Sequence, residues 1–244
     1  MNLLDIARAA IKAVPQVRKY LTPRTRVALK VGETGDYDGY LIDIEKLVQQ
    51  LYDSKIGADF EDKLKELIKK KLSEAYNGAW YDLMDTEDIP AYLDAELQAA
   101  IEEQYTFVNQ YYEDIIRDRG LAIGVTALLA RAALWANKVP ESYNNAVMLI
   151  AAEEGAKPNT PIGENLIWME GDTEKKCSTC LALDGLIASA RDWMESGLHP
   201  QMAPNEYLEC GGWKCQCRLL PTLETADANA PERLSQIAAG RRGV

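Results

Sequence analysis

A chain of 244 residues, 47% hydrophobic and 27% charged, has the composition of a globular protein and room for one large or two small domains. Its formal charge of −11 argues against a general duplex-DNA binder, because neutralising phosphates requires a basic face. The charge is uneven: residues 1–30 hold Arg8, Lys12, Arg18, Lys19, Arg24, Arg26 and Lys30 against Asp5 alone, a net +6 that leaves −17 elsewhere.

That asymmetry suggests a basic arm over residues 1–39 that meets an acidic partner surface or nucleic acid, with Arg8, Lys12, Arg18, Lys19, Arg24 and Arg26 as contacts. A solvated helix face is the alternative. Residues 3–20 carry a helical apolar stripe through Leu4, Val14 and Val17, shortened or kinked by Pro15. Asp5, Arg8 and Lys12 interrupt the apolar run that a secretory signal needs, so synthesis in a reducing compartment is expected. Arg24 to Val31 reads as a short strand. The acidic loop from Gly32 to Gly39 lacks the residue order and closing glutamate of a calcium loop.

A helical domain is expected over 40–157. Tyr40 to Leu51 and Asp62 to Met84 repeat apolar residues at helical spacing, and Lys69-Lys70-Lys71 reads as a solvated face or a phosphate contact. Leu97, Ile101, Tyr105, Val108, Tyr112 and Ile115 predict one long helix of about seven turns ending at Gly120. Its Tyr105, Tyr111 and Tyr112 are expected in the core, since the acidic face beside them disfavours base stacking. Leu121 to Ala136 is almost wholly apolar and too short for a bilayer. It predicts a central core helix in which Ala122, Gly124, Ala127, Ala130 and Ala133 admit close neighbours and Arg131 reaches the acidic helix before it. A further helix runs from Pro140 to Glu154, and Gly155 to Gly163, with two prolines, reads as a domain linker.

All five cysteines, three of the five tryptophans and the single histidine lie between Trp168 and Pro221. Cys177-Ser-Thr-Cys180 is a C-x2-C pair, and Cys210-Gly-Gly-Trp-Lys-Cys215-Gln-Cys217 follows about thirty residues later. The spacing suits one tetrahedral structural zinc site held by Cys177, Cys180, Cys210 and Cys215, with Cys217 as substitute for Cys215. In an extended segment Cys215 and Cys217 would point to opposite sides. A disulfide with a free thiol is the alternative. Gly211 and Gly212 fit a knuckle that turns through positive φ. After Gly185, Ile187 to Ser196 predicts a short helix, Leu198 to Asn205 a loop, and Arg218 to Pro221 a strand. Metal together with Trp168, Trp193 and Trp213 is expected to stabilise a module over 164–221, followed by a flexible tail over 222–244.

Trp168, Gly171-Asp172-Thr173-Glu174, Cys177-Ser-Thr-Cys180-Leu181, Leu183-Asp184-Gly185, Trp193, Pro200, Leu208-Glu209-Cys210-Gly-Gly and Cys215-Gln-Cys217-Arg218-Leu219 with Pro221 together resemble the C-terminal domain of phage Mu F-like minor head proteins. The likeness is dense over about fifty residues. The helical region matches only in length, helicity and order. Two departures stand out: the spacer from Cys210 to Cys215 is longer by a residue, and His199-Pro200 lies well upstream of the last cysteines instead of directly before them. His199 is therefore read as a surface turn residue. The resemblance implies a structural virion protein bound near the portal inside the capsid, with portal or major capsid protein as partner and packaged DNA as a further one. No membrane and no small-molecule substrate are expected.

The fold class expected is mainly α, a multi-helix N-terminal domain followed by a small α+β zinc-knuckle, treble-clef-like module. An enzyme is not expected: the chain shows no Walker loop, H-E-x-x-H or G-x-S-x-G motif, and His199 and Cys177 lack the neighbours of a zinc deaminase. Asp172 and Glu174 form a possible carboxylate pair but are better read as turn caps. The alternative function is a zinc-module adaptor that binds protein or nucleic acid.

Overall fold

The computed structural model describes residues 37–121, 124–171, 177–213 and 215–241. The expected helix over 3–20, the strand before Val31 and the basic contact residues from Arg8 to Arg26 lie outside the described residues, as do Asp172 and Glu174. The described chain is mainly helical, with a three-stranded sheet near its C-terminus.

Helix α1 (Tyr37–Tyr52) buries Tyr40, Ile44, Leu47, Val48 and Leu51, spaced so that one stripe faces inward. Helix α2 (Asp59–Met84) does the same over seven turns. Asp59, Glu61 and Asp62 in its first turn complement the positive end of its dipole. It closes on Asp85, which turns left-handed at φ 56° and returns its amide to the Tyr81 carbonyl at 2.9 Å. Lys69 and Lys70 are exposed as expected, whereas Lys71 is buried and paired with Glu74 at 3.2 Å.

The long helix expected through Gly120 is two helices, α3 (Ala91–Tyr105) and α4 (Val108–Gly120). At the break the amides of Thr106 and Phe107 bond three residues back, to Glu103 and Gln104, and the Thr106 hydroxyl donates to the Glu103 carbonyl at 2.7 Å. This tight turn leaves Phe107 54% exposed. The tyrosines serve the core, as expected. Tyr111 is fully buried, with its ring centroid 6.3 Å from that of Phe60, and the Tyr105 hydroxyl donates to the Lys65 carbonyl at 3.1 Å.

The apolar segment after Leu121 is also different from expectation. Helix α5 (Thr126–Ala136) buries only Leu128, Ala132, Trp135 and Ala136. Gly124, Ala127 and Ala130 are exposed, Ala133 is half-buried and Leu134 is 46% exposed, so Gly124, Ala127 and Ala130 do not serve close packing and the helix lies at the surface; Ala122 lies outside the described residues. Arg131 does reach the preceding helix, at Asp114.

Helix α6 (Lys138–Glu154), with Pro140 in its first turn, is buried almost all round. Tyr143 donates to Asp82 of α2 at 2.9 Å, while its neighbour Asn144 donates to Gln201 of the C-terminal region at 2.9 Å. Adjacent residues thus bond opposite layers, and α6 lies between α2 and the sheet. Residues 155–163 follow as turns, with Ile162 buried and Gly155 so close to the Glu164 backbone that a Cβ would meet its nitrogen at 2.4 Å.

Strand β1 (Asn165–Met169) is central in the order β2-β1-β3. It pairs antiparallel with β2 (Ile187–Ser189), Leu166 opposite Ala188, and antiparallel with β3 (Arg218–Thr222), Trp168 opposite Leu219. The strand expected from Arg218 is therefore present. Between β1 and β2 lies the short helix α7 (Ser178–Leu183). The helix expected from Ile187 begins only at α8 (Ala190–Ser196), because Ile187 and Ala188 are taken up by the sheet and Ser189 caps the helix by accepting the Asp192 amide at 3.1 Å. Where a flexible tail was expected, helix α9 (Ala230–Arg241) buries Ala230, Leu234 and Ala238, four residues apart, against α8 and β2. Its approach is fixed by Asp227, which accepts the Ile187 amide on its carboxylate at 3.0 Å and returns its own amide to the Ile187 carbonyl at 2.9 Å. One continuous apolar core runs through helices and sheet.

Candidate metal centre

The five cysteines converge beside the end of β1. Cys177 stands at the N-cap of α7 in extended conformation, and its sulfur accepts the Cys180 amide at 3.3 Å. The C-x2-C spacing thus puts two sulfurs on one side of a single turn, 2.9 Å apart. Cys210 joins them from the second cluster. The sulfurs of Cys177, Cys180 and Cys210 lie within 4.8 Å of one another, and so do those of Cys180, Cys215 and Cys217. Cys180 is common to both groups.

Two tethers hold the clusters in register. The Glu209 carboxylate accepts the Ser178 amide, and the Glu209 amide donates to the Thr179 hydroxyl at 3.2 Å. The loop around Cys210 is built on buried Asn205, whose side-chain amide donates to the Gly197 carbonyl at 2.9 Å and whose backbone amide donates to Gly211 at 3.0 Å. Gly211 and Gly212 turn through φ 62° and 79°, as the knuckle reading requires. At Gly212 a Cβ would lie 1.7 Å from the Met202 carbonyl oxygen, so the position has space for glycine alone.

Contrary to expectation, Cys215 and Cys217 do not point to opposite sides. Residues 215–217 precede the strand and are not regular, so both sulfurs turn towards Cys180. Gly171, at the end of β1, lies against Gln216 and donates its amide to Cys217. Gly171 and Glu209 stand in the motif residues, yet their contacts leave no mark in cysteine spacing; a polar residue directly before Cys210 is the only signal.

The thiols of Cys180, Cys215 and Cys217 do not ionise independently. The Cys180 thiol, hydrogen-bonded first to Cys210 and then to Cys215 and Cys217, is pushed up and keeps its proton. Donation from Cys180 pulls Cys215 down, and pulls Cys217 down to about 4 with help from Cys215. A soft divalent cation would replace that shared proton, since thiolates are its ligands. The donor set, all sulfur and partly or fully buried, suits a closed tetrahedral site without a position for substrate. Among the described residues no other His, Cys, Asp or Glu cluster has metal-binding geometry.

His199 is outside both groups. It is half-buried rather than on the open surface, its Nε2 lies 3.3 Å from the Met194 carbonyl, and burial lowers its pKa. Of the three tryptophans expected to support the module, Trp168 and Trp193 are buried with ring centroids 5.6 Å apart, and the Trp193 indole donates to the Leu166 carbonyl at 3.0 Å. Trp213 is 40% exposed and contributes no comparable core. No described helix is long and apolar enough to cross a membrane. No family model, curated protein or solved structure matches the chain.

Proposed function

We propose that this chain is a structural phage minor head protein of the Mu F-like kind, with a zinc-stapled, treble-clef-like C-terminal module, acting near the portal inside the capsid in head assembly or DNA delivery. The observation that carries the reading is that the described motif residues around the sheet and the cysteines form one physical unit. Trp168 and Trp193 pack together behind the sheet, Asp184 accepts the Glu170 amide at 2.9 Å, Gly185 donates to the Trp168 carbonyl at 2.9 Å, and the cysteine clusters close over the end of β1. A sulfur-only site of this kind fixes backbone geometry and supplies folding energy. The role is therefore structural rather than catalytic. Docking falls to the helical layer between Tyr40 and Glu154, with the basic arm of residues 1–30 as a salt-sensitive contact to portal, capsid protein or packaged DNA.

Mass spectrometry of purified particles of the encoding phage tests this. A few copies per head, retained after nuclease treatment and crosslinking to portal or capsid protein, is the expected result. Particles without the protein, together with unchanged head yield and infectivity after its deletion, would replace this assignment with a zinc-module adaptor.

A further inference from the structure

We infer that Cys215 and Cys217 are interchangeable fourth ligands of one zinc ion, so that the site holds a spare thiol beside the metal whichever of them is bound. This inference rests on the zinc reading above. Its geometric basis is the way five sulfurs share one centre. Cys177, Cys180 and Cys210 form a mutually close triad that would supply three of the four ligands. With zinc–sulfur bonds of roughly 2.3 Å, the sulfurs of a tetrahedral site stand about 3.8 Å apart, and each of the two groups that meet at Cys180 is gathered to within 4.8 Å, close to that spacing.

Cys215 and Cys217 both meet the triad at its buried member, Cys180. Each lies within 4.8 Å of Cys180 and of the other. Neither is turned out to solvent: Cys217 is buried and Cys215 partly so. Each has its own positioning contact. The Cys215 amide bonds to the Gly212 carbonyl at 3.4 Å, and Cys217 receives the Gly171 amide. A closed zinc site takes four ligands, so the fifth sulfur must stand aside. Exchange then forms one zinc–sulfur bond as another breaks. The proton of the incoming thiol leaves to solvent, the departing thiolate takes one up, and no oxidant or reductant is consumed.

The test compares zinc-loaded full-length wild type with C215S, C217S and the double variant. Zinc content is measured after gel filtration, and affinity by competition with a chromophoric chelator. Wild type and both single variants should hold about one zinc per chain, while the double variant should bind at least about tenfold more weakly. Brief iodoacetamide treatment of the zinc-loaded wild type, followed by peptide sequencing, needs no substitution. It should label one thiol per chain, divided between Cys215 and Cys217. A single variant as empty as the double one, or label confined to one of the two or absent from both, overturns the inference and leaves the zinc reading standing. Wild type without zinc sinks both.

Discussion

Arg131 places its Nη1 2.6 Å from Asp114 Oδ2 while its guanidinium lies 4.9 Å from the centre of the Tyr111 ring, so one side chain locks α5 to α4 by charge and by stacking. The Tyr111 hydroxyl completes the joint by donating to the Leu128 carbonyl at 2.7 Å. Asp114 is buried and also accepts from Arg117 at 2.7 Å and from Gln110 at 3.1 Å.

Removing that carboxylate should therefore cost more than an ordinary surface ion pair. For Asp114→Ala we expect a loss of roughly 2 kcal/mol, a fall in Tm of about 4–8 °C, because charge-assisted bonds are lost at a buried carboxyl while the half-exposed arginines are resolvated. The hydrogen bond from Arg131 is the main reason the Asp114 pKa is lowered. With the folded pKa below the unfolded one, the stabilisation is complete above the ordinary carboxylate value and is lost as pH falls through the folded value. Melting curves of wild type and variant should thus differ fully at neutral pH and draw together in acid. A gap that persists unchanged in acid would mean that packing, not charge, holds the joint.

Glu141 titrates in the opposite sense. It is buried on α6; Lys138 donates to its Oε1 at 2.9 Å, while the Ala203 backbone amide also faces the carboxylate. Burial raises its pKa, Lys138 opposes the shift, and the charge of Glu103 adds to it. The folded state then holds this proton more tightly than the unfolded chain does. The corresponding stability is present in acid and lost as pH climbs from the ordinary carboxylate value through the folded one. Glu141→Gln should flatten that decline, read from denaturant midpoints between about pH 4 and pH 8. Equal slopes for variant and wild type would show that the carboxyl ionises without penalty.

Sequence patterns made the helices legible where one apolar stripe faces one core, as in α1 and α2. They missed the break at Thr106 because apolar residues continue at helical spacing straight through it: Ile101, Tyr105, Val108 and Tyr112 lie on either side of a turn that periodicity cannot register. They misplaced α5 for a related reason. Apolar content says that a segment can be buried, not that a neighbour covers every face, and Ala127 and Leu134 are exposed. Strands β1 and β2 are short and non-alternating, and their pairing is long-range, so nothing local announces them. At the candidate metal centre the cysteine spacing pointed to the two clusters coming together, but the side to which Cys217 turns depends on the irregular backbone after Gly212 and on Gly171 across the gap.

Gly212 offers a direct test of how far the site depends on that backbone. Gly212→Ala places a Cβ against the Met202 carbonyl at a residue with φ 79°, so the substitution meets both an unfavourable conformation and a rigid neighbour. We expect at least about 2 kcal/mol of destabilisation, with zinc retention reduced because Cys210 and Cys215 flank the strained turn. Gly120→Ala, at a helix end where a Cβ would meet nothing within 4 Å, is the control and should leave zinc content unchanged. Full zinc occupancy and an unaltered melting temperature in the Gly212 variant would mean that the loop relaxes freely and is not a scaffold for the thiols.

The last prediction concerns the joint between helices and sheet. Lys157, Pro158 and Asn159 are exposed, so the connection looks cuttable, yet α6 on one side of it packs against β1, β3 and α8 on the other. Tyr92 of α3 donates to Glu154 at 3.0 Å at the end of the same helix. A cut in this connection therefore severs the chain without separating the core, where each large apolar side chain contributes roughly 1.5–3 kcal/mol on burial. A protease site inserted between Pro158 and Thr160 should, once cleaved, give two fragments that co-elute in gel filtration and part only in denaturant. Residues 160–244 expressed alone should be aggregation-prone even with zinc, because the apolar surface that α6 covers would face water. A zinc-loaded 160–244 fragment with dispersed amide resonances, and fragments that separate under native conditions, would show instead that the metal and the Trp168–Trp193 pair suffice to hold the sheet.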